Sequence, residues 1–315
     1  MTVQPYRSDM RPSLVLEAHD VPAAPGLSVT CRWPDSCAPS GVVVFCHGLG
    51  SNGREYEGLS SHWAQHGHLV IHPNFRDAIG IVAREEPAFG LDPDADLSNW
   101  TAMPDVRAHM HQILHAPARW VERVDHVRRV IDTLPSIAAA TCGRVGAATP
   151  CAIAGHSFGA YTAQLLAGAE IDMPDGGIGS FRDERFQAAV LLSAQGRDQQ
   201  GLRDGSWDAM DAPVLTVTGT LDRGAKGGDW RWKSEPFELA PAGGKYLAVL
   251  EDGDHFLGGL TDRGTHRRVP AQKAAVEAIT LAFLDAHLAD RDAAHHWLAS
   301  VGHGVGDAPL SFRSK

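Results

Sequence analysis

Apolar residues in this chain fall into short unbroken blocks separated by longer stretches of helical period. Gly41–Cys46 (GVVVFC), His68–His72 (HLVIH), Pro150–Ala154, Ala188–Ser193 (AAVLLS), Pro213–Thr218 and Lys245–Leu250 are such blocks. Short runs without polar alternation predict strands buried on both faces, the environment of a parallel sheet. Leu27–Trp33 reads as a further strand. Between the blocks, Arg54–His66, Pro117–Leu134, Phe158–Ala169 and Ala271–Leu288 place apolar side chains at helical spacing. In Pro117–Leu134 the repeat is Trp120, Val121, Val124, Val127, Val130, Ile131 and Leu134, set among Arg and Asp residues. Strands alternating with helices predict one α/β domain, a mostly parallel sheet covered on both faces.

Three segments leave the pattern. Residues 1–26 are Pro-rich and aperiodic and read as a lead-in with room for one edge strand. The domain proper is expected to span 27–290, and 291–315 is expected to be a C-terminal tail. Residues 77–116, after the fourth strand, contain AREEPAFGLDPDADLSNW and then a His-rich stretch. A connection this long inside a domain is usually functional, and we read it as a lid or pocket wall. Phe89 and Trp100 are its expected substrate contacts.

The strongest chemical signal is Gly155-His156-Ser157-Phe158-Gly159, lying between the apolar run CAIA and the helical sequence FGAYTAQLLAG. Strand, sharp turn and helix are the context a G-x-S-x-G nucleophile elbow requires, with the serine exposed beside a helix N-terminus that favours negative charge. A serine nucleophile needs a base, and the base needs an orienting carboxylate, in the chain order Ser, acid, His. Asp222 follows the strand PVLTVT, and His255 follows KYLAVLE. Both therefore lie at the carboxyl edge of the sheet, as Ser157 does, where open α/β sheets build their sites. Asp229, Asp254 and His266 compete for these roles, but Asp254 adjoins the histidine and the other two sit farther from their strand ends.

The oxyanion formed on attack at a carbonyl needs fixed donors. One is the backbone N–H of Phe158; the other is expected in His47-Gly48-Leu49-Gly50-Ser51-Asn52, at Leu49 or, failing that, Gly50. His47 is read as a brace for this loop rather than a catalytic group. Phe256, beside the base, and Trp230 are expected to add apolar pocket wall, with Trp232 packing nearby.

HGLGSN, GHSFG, GTLD and DGDHFLGG together resemble the dienelactone-hydrolase-like branch of the α/β-hydrolases, and within it the platelet-activating-factor acetylhydrolase and polyester-hydrolase group. The resemblance extends from about residue 27 to residue 288. It implies an α/β-hydrolase fold, Ser157, Asp222 and His255 as triad, Leu49 and Phe158 as oxyanion donors, and carboxylic ester hydrolysis with no metal or cofactor. One departure is that dienelactone hydrolases carry a cysteine nucleophile where this chain has Ser157. Thioesterase, amidase or peptidase, and acyltransferase chemistry use the same acyl-enzyme; a non-catalytic binding protein on this fold is the distant alternative.

Composition narrows the partners. With 43% hydrophobic and 21% charged residues the chain has material for a core and is not disordered. A net charge of −10 argues against nucleic acid or an anionic membrane and suits a small uncharged ester. No apolar stretch is long enough for a membrane span, and the expected location is the cytoplasm, or outside the cell had a signal peptide been removed. His109, His111 and His115 lack the H-E-x-x-H pattern and a third ligand, so no metal is expected there; His295-His296 reads as a surface pair. The five cysteines contain no CxxC, and Cys31 and Cys37 are not expected to pair.

Overall fold

Within GVVVFC, Val42, Val44 and Cys46 join one apolar cluster, and Val43 and Phe45 join another. Side chains alternate across a strand, so this block lies between two layers, as its unbroken hydrophobicity requires. The computed structural model describes residues 2–35, 38–143, 145–146, 148–224, 227–261 and 266–315. In chain order its elements begin β1 (Val15–Ala24), β2 (Leu27–Pro34), β3 (Gly41–Cys46), α1 (Glu57–Gln65) and β4 (His68–Pro73). Then come α2 (Ile79–Glu85), α3 (Pro104–Leu114), α4 (Pro117–Asp132), α5 (Leu134–Ala140), β5 (Cys151–His156) and α6 (Phe158–Leu166). A small hairpin, β6 (Glu170–Asp172) with β7 (Ile178–Ser180), precedes β8 (Phe186–Leu192), β9 (Val214–Gly219), α7 (Arg231–Leu239) and β10 (Lys245–Leu250). The chain closes with α8 (Pro270–Leu288), α9 (Asp292–Ser300), β11 (Gly304–Val305) and β12 (Ala308–Ser314).

The main sheet has the strand order β1-β2-β4-β3-β5-β8-β9-β10-β12-β11. Its six central strands, β4 to β10 in that order, are parallel, and antiparallel strands flank them on both sides. The molecule is thus an α/β protein with a large, mostly parallel sheet. Helices α4, α5 and α6 cover one face, and α1, α8 and α9 cover the other. From β3 the chain steps outward to β4 and then returns to place β5 on the far side of β3. Such a reversal opens a crevice at the carboxyl ends of β3 and β5, where ligands of open α/β sheets bind.

The lead-in supplies β1 as the edge strand for which the sequence left room. Residues 291–315 are not a tail: they form α9 and two strands, and β12 pairs with β10 from Tyr246↔Ser314 to Leu250↔Leu310. β11 has only two residues, and β12 (APLSFRS) interleaves apolar with polar residues, so no unbroken apolar run announces them. A bridge between Val3 and Val305 brings the two ends of the chain together. The 77–116 insertion folds as α2, α3 and single 3₁₀ turns around its own small core of Ile79, Val82, Ala83, Leu97, Trp100, Val106, Met110 and Ile113. Among the described residues no helix is long and apolar enough to cross a membrane.

Candidate active site

Ser157 sits between β5 and α6 with φ 55° and ψ −120°, a backbone conformation costly for a residue with a Cβ. The flanking glycines explain how the turn closes. A Cβ on Gly155 would lie 2.2 Å from the Gly159 carbonyl oxygen, and one on Gly159 would lie 1.8 Å from the Cys46 carbonyl oxygen. Only hydrogen fits at either place, so G-x-S-x-G is a packing requirement between β5, α6 and β3. Ser157 itself remains partly exposed in a cavity.

Asp222 and His255 come from adjacent strand ends. The loops after β9 and β10 touch through Gly219 and Gly253, and the Leu221 N–H donates to the Gly253 carbonyl at 2.9 Å. This contact brings His255 Nδ1 to 2.9 Å from Asp222 Oδ1. Thr218 Oγ1 donates to the other carboxylate oxygen at 3.0 Å. Ser193, at the end of β8 with φ 53°, places its Oγ 2.8 Å from His255 Nδ1. Behind the carboxylate, Lys233 Nζ lies 3.9 Å from Asp222 Oδ1 and donates to the Ser193 carbonyl at 3.2 Å. Burial alone would push the Asp222 carboxyl up. The Lys233 ammonium, then His255 and the Ser193 hydroxyl, outweigh it and hold the group well below the usual carboxylate range. Burial pulls Lys233 below the ordinary lysine range, opposed by Asp222.

The loop after β3 is held from two sides. Its Gly48 N–H donates to Tyr56 Oη at 3.0 Å, and its Gly50 N–H donates to the Asp77 carbonyl at 3.1 Å. Gly50 is therefore already engaged, whereas the N–H groups of Leu49 and Phe158 have no hydrogen-bond partner among the described residues. The first N–H groups of a helix lack internal acceptors, which leaves that of Phe158 directed outward. His47 is buried: the Phe75 N–H donates to its Nε2 at 3.3 Å, so its Nδ1 donates to the Gly48 carbonyl at 2.8 Å. Arg123 of α4 donates to the His47 carbonyl at 2.9 Å and grips the Asp77 carboxylate through Nε and Nη2 at 2.9 and 3.1 Å. Its guanidinium lies 4.0 Å from the Phe75 ring centroid and 4.3 Å from that of Phe158.

His156 ties the three loops together. Its Nε2 donates to the His255 carbonyl at 2.8 Å, and its Nδ1 accepts from Tyr56 Oη at 2.9 Å, the same hydroxyl that receives the Gly48 N–H. This pattern requires a neutral ring. Burial, and then the proximity of His255, lower its pKa to about 3.

The cavity over Ser157 measures about 540 Å³ and is lined also by Leu49, His156, Lys233 and His255. The insertion supplies Ser98–Ala102, His111 and Leu114 to its wall, Trp100 among them; Phe256 lines it too, with His266 stacked on it at 3.4 Å between ring centroids. Phe89 and Trp230 do not line it, contrary to the sequence reading. Phe89 packs on the insertion's own core and on the His109 ring, and Trp230 packs against Phe237, Leu247 and Val249. Trp232, two positions on, takes the wall instead. Of the competing acids, Asp229 is an exposed partner of Arg231, and Asp254 accepts from the Phe256 N–H at 2.9 Å. Cys31 is a buried free thiol, and Cys37 lies outside the described residues.

Sequence reading passed over Tyr56, His156, Ser193, Lys233, Asp77 and Arg123. Arg123 left a trace: it stands three residues after Trp120 and four before Val127, on the stripe that α4 buries. Scanned against protein-family models the chain matches none, and a search of curated proteins finds no match.

Proposed function

We propose that this protein is a serine hydrolase of the α/β-hydrolase fold that cleaves carboxylic esters through an acyl-enzyme on Ser157. One observation carries the reading: a strained serine at a strand–helix turn shares one cavity with a histidine whose Nδ1 is 2.9 Å from a buried carboxylate. Asp222 accepts a hydrogen bond from the His255 Nδ1–H and fixes the tautomer, so His255 Nε2 is the nitrogen that takes the Ser157 proton. Ser157 Oγ bonds to the ester carbonyl carbon, and the carbonyl oxygen becomes an oxyanion met by the Leu49 and Phe158 N–H groups. The intermediate collapses, the C–O bond to the alcohol breaks, and His255 returns the proton to the departing oxygen. A water molecule, deprotonated by His255, then releases the acid and restores Ser157.

The oxyanion assignment is supported by elimination, since the neighbouring Gly48 and Gly50 N–H groups are already spent on Tyr56 and Asp77. The insertion acts as pocket wall through its 98–102 turn and through His111 and Leu114 of α3, while α2 and the rest of α3 form its scaffold. A panel of p-nitrophenyl esters with matching thioesters and anilides tests the reaction class. Esters are expected to give the highest kcat/KM, with all activity dependent on Ser157. Turnover that persists in Ser157→Ala, or anilides leading the panel, would count against an esterase.

A further inference from the structure

Ser193 is fully buried at the end of β8 with φ 53°, in the left-handed region that suits glycine. A strained residue of this kind persists only where its surroundings hold it. Here its N–H donates to the Val217 carbonyl at 2.8 Å, and its carbonyl accepts from Lys233 Nζ at 3.2 Å. The carbonyl of the preceding residue, Leu192, accepts from the Ser157 N–H at 2.9 Å. The turn at the end of β8 therefore holds the backbone of Ser157 on one side and presents a hydroxyl to His255 on the other. Ser193 Oγ lies 2.8 Å from His255 Nδ1, and Asp222 Oδ1 lies 2.9 Å from the same nitrogen. With a proton on Nδ1 for Asp222 to receive, that nitrogen can only donate, so Ser193 Oγ is a second acceptor of the same N–H. The hydroxyl's own hydrogen then goes to the Asp222 carboxylate, one of the bonds that favour its charge. Glycine would ease this backbone but make neither bond.

Resting on the serine-hydrolase reading above, we propose that Ser193 is a positioning residue of the reaction, a second acceptor that shares the His255 Nδ1–H with Asp222. When His255 takes the Ser157 proton it becomes an imidazolium, and its Nδ1–H carries part of the new charge. Two acceptors meet that charge: the carboxylate, and a hydroxyl oriented by its own bond to the carboxylate. Hydrogen bonds to charged groups are stronger than neutral ones, so this contact tightens as the transition state forms. The same two acceptors hold the ring in one orientation, which leaves Nε2 free for the Ser157 proton.

Two substitutions test this. Ser193→Ala removes the hydroxyl and keeps the strained backbone, whereas Ser193→Gly removes both. With p-nitrophenyl butyrate, kcat and kcat/KM should fall together by roughly 10- to 100-fold in each variant while KM stays near wild type, the pattern of an interaction made in the transition state. Urea midpoints should separate the two variants, with Ser193→Gly above Ser193→Ala, because glycine takes φ 53° without strain. Activity that follows the hydroxyl while stability follows the backbone distinguishes positioning from packing. Fluorophosphonate labelling of Ser157 should slow in both variants. Glycine suits the observed backbone, so loss of folding in Ser193→Ala leaves Ser193→Gly to decide. A wild-type kcat in either folded variant, or a raised KM at unchanged kcat, overturns this inference alone, provided the wild-type chain is labelled at Ser157. A wild-type chain that neither labels nor cleaves any ester overturns the hydrolase reading and this inference with it.

Discussion

Lys233 Nζ lies 3.9 Å from Asp222 Oδ1, and neither side chain reaches solvent beyond 2% of its surface. A lysine so buried is retained only with a compensating partner, and here the partner is the carboxylate that also holds His255. Asp222 therefore faces Lys233, His255 and the Ser193 and Thr218 hydroxyls, all of which favour its charge. Lys233 is a positioning residue in this account: it acts on the reaction through Asp222.

Lys233→Met should consequently lower kcat by roughly 10- to 100-fold with little change in KM, short of the ~10⁴-fold expected for losing the acid itself. Without the ammonium, Asp222 takes up a proton more readily, so the acid limb of the kcat/KM profile should move to higher pH. Lys233→Arg should move it less. A profile that stays in place in Lys233→Met would reduce Lys233 to packing.

Asp222→Asn should fold and leave His255 in the wrong tautomer, with kcat down by roughly 10⁴-fold. Asp229→Asn and Asp254→Asn should stay near wild type, because Asp229 pairs with Arg231 at the surface and Asp254 caps a turn. Steady-state kinetics of the three variants decide the assignment; a crippled Asp254→Asn would move the acid to that position.

Much of this was legible in the sequence where one physical constraint dominates. The central strands are buried on both faces, so their hydrophobicity is unbroken, and Gly41–Cys46 and Lys245–Leu250 are bounded as read. The serine, acid and base stood out because each ends such a strand. Contacts that join distant segments left little trace. Lys233 reads as one more charge in DWRWK, and only the folding of α7 beneath β9 turns it inward to Asp222. Tyr56 and His156 are a hundred residues apart, and only the pairing of β3 with β5 brings their side chains together. Phe89 and Trp230 failed as pocket residues for a related reason: an aromatic in a loop has no periodicity to say whether it faces a ligand or a local core.

The loop after β3, which the proposed mechanism uses for an oxyanion donor, is held by a pair of residues behind it. Arg123 and Asp77 are buried and bonded through two contacts, and Arg123 also holds the His47 carbonyl. Removing one member of a buried pair strands the other, at a cost of about 3–5 kcal/mol. Arg123→Met and Asp77→Asn should lower the urea midpoint accordingly and raise KM as well as reduce kcat. Midpoints equal to wild type would show that the pair does not brace the loop.

Stability should fall on mild acidification. Burial lowers the pKa of His62 to about 4, of His156 to about 3 and of His287 to about 4, and it lowers His72 and His126 in the same direction. The unfolded chain protonates these rings near pH 6.5, whereas the folded chain resists until the lowered values are reached. Between those limits the unfolded state binds more protons, so stability rises with pH and is lost as pH falls from about 6.5 towards 4. Each ring contributes up to about 1.4 kcal/mol per pH unit in that window. Urea midpoints at pH 7.5 and pH 5.5 should differ clearly, and equal midpoints would contradict the neutral state of these histidines.

The central claim is that Ser157 is a nucleophile activated by His255 and Asp222. A fluorophosphonate probe reads this directly, because it bonds covalently only to a serine whose proton is being withdrawn. Mass spectrometry of the labelled chain should find one modified residue, Ser157, with labelling abolished in Ser157→Ala and slowed by orders of magnitude in His255→Ala. Label on another serine, or a Ser157 that stays unmodified in the folded chain, would contradict the account.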